Sequence, residues 1–296
     1  MILYIYSFVN KLKSDLRDPL FEGAAKHGYR TIVFGDLEDL TKINKTDVLI
    51  IWNRHLKQDA IALKFERSGA TVLCMENPYI RNKGYYSFGY GYTNNMQCSP
   101  QCKDSGERFK SFDREIKPWR STVNDHTKHI LVCTQSKRFN QQGLGFKHFK
   151  QPAFWDARVL CNIRQRSDRH IIYRQHPNGY DIKTKDISFY ITNFSISRPN
   201  KVARPIVDDL KDAWATIVYG SNAGTDSLLE GIPAFVCGPS VYMQNACGEG
   251  LMGLNQPFMS NNREQLFNRL AWAQFHTNEI GSGFAFDILL NDTQRQ

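Results

Sequence analysis

Four short runs of the sequence carry side chains suited to chemistry on a charged substrate. Arg174-Gln-His-Pro-Asn178 sets a guanidinium and an imidazole two residues apart, just before a proline. Gly220-Ser-Asn-Ala-Gly-Thr-Asp226 is a run of small residues in which Ser221, Asn222 and Thr225 are donors and Asp226 is a carboxylate. Gln135-Ser-Lys137 adds an amide and an ammonium, and Glu76-Asn-Pro-Tyr79 a carboxylate in a turn. Guanidinium, imidazole and the unpaired backbone N–H groups of a helix start all stabilise phosphate oxygens. A carboxylate within hydrogen-bond reach of a hydroxyl can take its proton. Together the Arg174–His176 and Gly220–Asp226 runs point to an anion such as a diphosphate held at a helix start. The plain alternatives are an ordinary helix cap at 220–226, a surface histidine at 176 and a turn-capping carboxylate at 76.

The elements that position these runs show in the hydrophobic pattern. Ile2–Ser7, Thr31–Phe34, Val48–Trp52 and Thr71–Met75 are continuous apolar runs of strand length. Asp15–His27 and Leu56–Arg67 have helical spacing between them. Continuous apolar strands alternating with helices indicate a parallel sheet covered on both faces. Residues 82–126, rich in Tyr, Gly, Asn and Gln around Tyr85–Tyr92, break the rhythm and are expected to form long loops. A second alternation follows: strands at His129–Thr134, His170–Arg174, Ser188–Thr192, Thr216–Tyr219 and Ala234–Cys237. Helices are expected at Trp155–Arg166, Ile206–Trp214, Gly224–Glu230 and Arg263–Phe275. Each chemical run then falls at the carboxyl end of a strand, where open parallel sheets bind ligands.

The 296 residues suggest about two domains at ~150 residues each. With 41% hydrophobic and 23% charged residues the chain has the composition of a folded globular protein, not of a disordered one. No apolar run approaches the ~20 residues of a membrane helix, and Met1–Tyr6 lacks a basic leader, so a soluble cytoplasmic protein is expected. Seven scattered cysteines, an odd number, fit reduced thiols. A zinc reading would join Cys98 and Cys102, with three residues between them, to His126 or His129, but no Cys-x-x-Cys knuckle is found, and no metal is expected. Net charge is +9, and from Lys137 to Arg169 eight basic residues face two acidic ones. Such a stretch serves either as a solvated face or as an attractor of polyanions.

At this point the residues resemble a family. Arg174-Gln-His-Pro177, followed by Ser221-Asn-Ala-Gly-Thr-Asp-Ser-Leu-Leu-Glu-Gly-Ile-Pro233, is similar to the nucleotide-binding half of GT-B glycosyltransferases. Capsule-type sugar transferases and glycerophosphotransferases look similar here. The helix around Leu266–Phe275, Glu279-Ile-Gly-Ser-Gly283 and Glu76–Tyr79 resemble bacteriophage proteins of this type. The resemblance implies two Rossmann-like parallel-sheet domains facing a central cleft. The acceptor domain would span 1–127, the nucleotide-sugar domain 128–276, and 277–296 would return to the first. It also implies that Asp226 holds the ribose hydroxyls, in a place where most relatives carry Glu. A glycine-rich loop after Ser7, common in such enzymes, is missing.

The reaction expected is sugar transfer from a nucleotide sugar, a UDP-sugar first, with no cofactor required and no Asp-x-Asp motif present. Arg174, Ser221, Asn222, Thr225, Gln135 and Lys137 would hold the donor with Asp226, and His176 would be catalytic, stabilising the leaving diphosphate. Glu76 would be the base, with Asp18 and Asp36 as rivals. Tyr79, Tyr85, Tyr86, Tyr90 and Tyr92 would hold the acceptor. The acceptor expected first is phage DNA carrying hydroxymethylated bases, whose flipped base aromatic rings could cover. A capsule-type glycan or lipid is the alternative, and a non-catalytic nucleic-acid-binding protein the third reading.

Overall fold

The computed structural model describes residues 1–6, 14–35, 40, 42–54, 56–90, 106–120, 125–135, 155–179, 183–199, 204–238, 240–242 and 246–291. Asp36, Tyr92, Cys98, Cys102 and the basic residues Lys137, Arg138, Lys147 and Lys150 lie outside them. The chain divides into two units. The first holds the described residues of Met1–Phe112 and Phe267–Gln296, the second those of Asp113–Gln141 and His148–Leu266. The crossings thus fall at 112 and 267, against 127 and 276 in the sequence reading.

In the first unit the elements in chain order are β1 (Ile2–Tyr6), α1 (Ser14–Lys26), β2 (Arg30–Phe34), β3 (Val48–Trp52), α2 (Leu56–Arg67), β4 (Thr71–Glu76), β5 (Tyr85–Tyr90) and α3 (Glu107–Lys110). The sheet runs β12-β5-β4-β3-β1-β2, where β12 (Gln274–His276) comes from the returning segment. β1 to β4 pair in parallel; β5 and β12 add on antiparallel. Successive side chains of a strand point to opposite faces. Leu3 and Ile5 accordingly join one core with Ile50, Leu73, Met75 and Phe88, while Tyr4 and Tyr6 join another with Leu49, Ile51 and Phe65 of α2.

The Tyr-rich stretch corrects the expectation of a loop from residue 82 onward. Tyr86 and Phe88 alternate inward from β5 and are buried with Phe275 and Phe286. The glycine and tyrosine content hid a period of two. The helix expected through Phe275 stops at Trp272 as α8 (Arg263–Trp272), and β12 follows, because the apolar spacing of the helix continues into the strand. The return is pinned by Arg108. Its guanidinium donates to Glu279 at 2.7 and 2.9 Å and to the carbonyls of Ala271 and Gln274, and it lies over the Trp272 and Phe275 rings. Beyond it, α9 (Thr277–Gly281) and α10 (Phe284–Asn291) complete the unit, with Ile280 of α9 and Phe286 and Leu289 of α10 in the core.

The second unit contains β6 (His129–Cys133), α4 (Trp155–Arg164), β7 (Ile171–Arg174), α5 (Thr184–Ser188), β8 (Phe194–Ser197), α6 (Ile206–Leu210), β9 (Ala213–Val218), α7 (Ala223–Leu229), β10 (Ala234–Val236) and β11 (Gly248–Glu249). Its six strands run β11-β10-β9-β6-β7-β8, all parallel. Counted from β6, this is the doubly wound order 3-2-1-4-5-6, and the order reverses between β6 and β9. Two expected elements differ. Ser188–Thr192 is no strand, because Ile187 and Ile191 are both buried at helical spacing and Phe189 is exposed. The helix expected to Trp214 stops at Leu210, and Trp214 belongs to β9, where its indole donates to the Leu254 carbonyl at 2.8 Å.

Candidate donor site at the strand ends of the second unit

The reversal point of a doubly wound sheet leaves a crevice at its carboxyl ends, because the connections on either side depart to opposite faces. Three strand ends are tied together there. The His176 N–H, just past β7, donates to Thr134 Oγ1 at 2.9 Å, just past β6. The Gln135 amide oxygen accepts from the Gly220 and Ser221 N–H groups at 2.9 and 3.1 Å, in the orientation that satisfies both amide ends. The chain ends of β6, β7 and β9 therefore form one hydrogen-bonded rim.

His176 has a defined proton. Its Nδ1 accepts the Asn178 N–H at 3.0 Å, within a turn closed by Gly179 N–H on the His176 carbonyl at 2.7 Å. An imidazole nitrogen that accepts cannot carry the proton of the neutral ring, so the proton sits on Nε2. The half-buried ring is thereby set as a donor at Nε2.

The 220–226 run is built from below. The Tyr242 hydroxyl, fully buried, donates to the Ser221 carbonyl. Its ring lies so close to Gly224 that a Cβ there would collide with it. Burial raises the Tyr242 pKa, with Cys133 and Asp226 adding to the effect, so the phenol stays protonated and donating. Ser221 Oγ accepts the Ala223 N–H at 3.3 Å, ahead of an α7 of only seven residues. Ser221 and Asn222 are half-exposed, whereas Thr225 and Asp226 are buried. The Thr225 hydroxyl meets no hydrogen-bond partner among the described residues. Asp226 lies in the first turn of α7, its N–H on the Asn222 carbonyl at 3.1 Å.

Arg174 stands apart from this rim. Its guanidinium pairs with the fully buried Asp209 and donates to the Arg204 carbonyl at 2.8 Å. Asp209 also accepts from Ser197 Oγ at 2.6 Å and pairs with Arg204, and its carbonyl receives His129 Nε2 at 2.8 Å. Arg174 is thus an internal strut that joins β7 to β8 and α6. Its donor-binding expectation is set aside, because its guanidinium is taken up by Asp209, Ser197 and the Arg204 carbonyl.

The residue expected to be catalytic, His176, and the expected donor residues Gln135, Ser221, Asn222, Thr225 and Asp226 are therefore brought together at these strand ends, Thr225 and Asp226 as a buried layer. Lys137 lies outside the described residues. Thr134 and Tyr242, which position His176 and Ser221, were missed. Thr134 ends an apolar strand, which could have marked it; Val241-Tyr242 carries no local signal.

In the first unit Glu76 closes β4, half-exposed, in register with Ser87. Tyr79 and Tyr86 are buried, which removes both from the acceptor-binding set. The Tyr86 hydroxyl donates to Asp15 at 3.0 Å, and burial together with this bond pushes its pKa up to about 12. Tyr85 lies against the Phe112 and His276 rings, and Tyr90 packs partly on the core. Among the described residues no cluster of three His, Cys, Asp or Glu side chains could hold a metal, and no helix is long and apolar enough to cross a membrane.

The fold these units define is the two-sheet, Rossmann-type GT-B fold. No protein-family model and no curated protein matches the sequence. Among solved structures, the chain is similar to the beta Kdo 2,7 transferase of Thermosulfurimonas dismutans KpsC. The TM-score is 0.59 at 15% identity, over 97% of this chain and 99% of that one. It is also similar to the beta Kdo 2,4 transferase of the same KpsC, with a TM-score of 0.57 at 12% identity over 93% and 92%.

Proposed function

We propose that the chain is a glycosyltransferase that binds a nucleotide sugar at the carboxyl ends of β6, β7 and β9. The observation that carries this reading is His176, fixed with its proton on Nε2 on the rim that Gln135, Ser221 and Asn222 share. Sugar transfer builds negative charge on the leaving phosphate, and pre-oriented donors stabilise it without reorganising during the reaction. His176 Nε2–H supplies one such donor, and the Ser221 and Asn222 side chains supply others. Asp226, beneath them, is proposed to meet the ribose hydroxyls. Glu76, at the end of β4 in the first unit, is proposed as the base that takes the acceptor proton. The two solved structures of like fold named above transfer Kdo, which supports sugar transfer as the reaction class.

A glycan or another small hydroxyl acceptor is the acceptor favoured. The aromatic platform expected for a flipped DNA base loses Tyr79 and Tyr86 to the core. Of the basic stretch, Arg169 is buried over Trp214 and Arg164 is spent on backbone carbonyls. Hydroxymethylated DNA stays as a second reading on one observation, the net charge of +9.

Transfer of radiolabel separates these readings. UDP-sugars head a donor set that also holds GDP-, CMP- and TDP-sugars; oligosaccharides and hydroxymethyl-base duplex are the acceptor arms. Label in an oligosaccharide, lost in Glu76→Gln, is the expected result. Label in the duplex alone, with binding that falls steeply as salt rises, would establish the second reading. No label from any donor in either arm would remove transfer as the function.

A further inference from the structure

The second unit has a cavity that shares no residue with the donor rim. It measures about 710 Å3, within the ~300–1,000 Å3 range of small-molecule sites. One wall is α4 and the turn after it, the other the segment from Gly250 to Gln256 beyond β11. The segment is held in place. The Leu254 carbonyl accepts the Trp214 indole at 2.8 Å, and the Asn255 amide donates to the Arg166 carbonyl at 2.9 Å. Gly250 and Gly253 take left-handed backbone at φ 61° and 73°, which lets the segment turn tightly. The cavity is therefore a built feature of this unit.

Its lining divides by chemistry. Trp155, Val159 and Leu254 form an apolar floor continuous with the core. Arg158, Asn162 and Arg166 follow at intervals of four along the exposed side of α4 and its end. Arg166 folds back to donate to the Asn162 carbonyl at 3.0 Å, which orders its guanidinium. Among the described residues no Asp or Glu lines the cavity, and neither Arg158 nor Arg166 forms an ion pair with another of them. An apolar floor selects an apolar body, and two unmatched guanidinium groups above it select a negative head.

We propose that this cavity is a binding site for an amphipathic organic anion, one apolar body carrying one phosphate or carboxylate group. The ligand lays its apolar part on Trp155, Val159 and Leu254 and its head against the arginines. The site lies on residues that take no part in the proposed transfer, so it stands or falls independently of that reading.

Calorimetric titration of the full chain with monomeric hexyl, octyl and decyl phosphates tests it, with inorganic phosphate, decanoate and decanol as comparison arms. Saturable 1:1 binding is expected, with affinity rising about fourfold per added CH2. Decanoate should bind comparably, and decanol and inorganic phosphate far more weakly. The double variant Arg158→Gln/Arg166→Gln should lose at least tenfold in affinity for decyl phosphate, and Asn162→Trp, which fills the cavity from an exposed position, should abolish binding. Melting temperatures of both variants establish that they are folded. Absence of saturable binding, equal affinity for decanol, or undiminished binding to folded Asn162→Trp would overturn the proposal.

Discussion

At the scale of single residues, the second unit rests on charges and protons placed by burial. Asp209 is fully enclosed, and its carboxylate is matched by Arg174, Arg204 and the Ser197 hydroxyl. Removing one partner of such a pair leaves a buried charge unmatched, so this strut also fixes the strand end that carries His176. His129 leans on the same residue through the Asp209 carbonyl. Burial lowers its pKa below the usual 6.5, with His170 acting in the same direction and the Asp209 and Asp212 charges and the carbonyl bond opposing it. A histidine with a depressed folded pKa stabilises the fold fully above its unfolded value and loses that stability as pH falls below it. The melting temperature should therefore drop between pH 7 and 5, and His129→Gln, which keeps a donor but cannot titrate, should show a smaller drop. Calorimetric melts at those two pH values measure the difference; equal drops in both proteins would show that His129 does not titrate in this way.

At the scale of elements, the donor rim depends on one side chain that bridges two strand ends. Gln135 satisfies the Gly220 and Ser221 N–H groups, while Tyr242 holds the Ser221 carbonyl from below. Gln135→Leu should cost about 1–3 kcal/mol of stability, the scale for leaving buried donors unmet. Gln135→Glu keeps the acceptor and should hold its melting temperature, but its charge should weaken donor binding with kcat little changed. A Glu variant that melts as early as the Leu variant would show that the bridge is not formed. The parallel strands of both units were legible because strands covered on both faces read as unbroken apolar runs. The antiparallel strands were not. β5 conceals its alternation among tyrosines and glycine, and β12 takes the apolar spacing of the helix before it. In the site, His176 and Ser221 could be read from small and polar residues after apolar runs. The pairing of Arg174 with Asp209 could not, since 35 residues separate them and neither carries a local signal of it.

At the scale of the whole molecule, two sheets of six strands are joined by a chain that leaves the first unit after Phe112 and returns to it at Phe267. That return makes the C-terminal helices part of the first unit's core, through Ile280, Phe286 and Leu289. The second unit, with its strand order complete in itself, carries the proposed donor site. Its doubly wound order is what leaves a crevice at the ends of β6 and β9, where the donor is proposed to bind. On this reading a nucleotide sugar binds at His176. Calorimetric titration of the intact protein with the four nucleotide-sugar classes, repeated on His176→Ala and Glu76→Gln, tests it most directly. The expected result is 1:1 binding of one donor class, weakened at least tenfold in folded His176→Ala and unchanged in Glu76→Gln. A donor that binds His176→Ala as tightly as the native protein, or no binding by any nucleotide sugar, would contradict it.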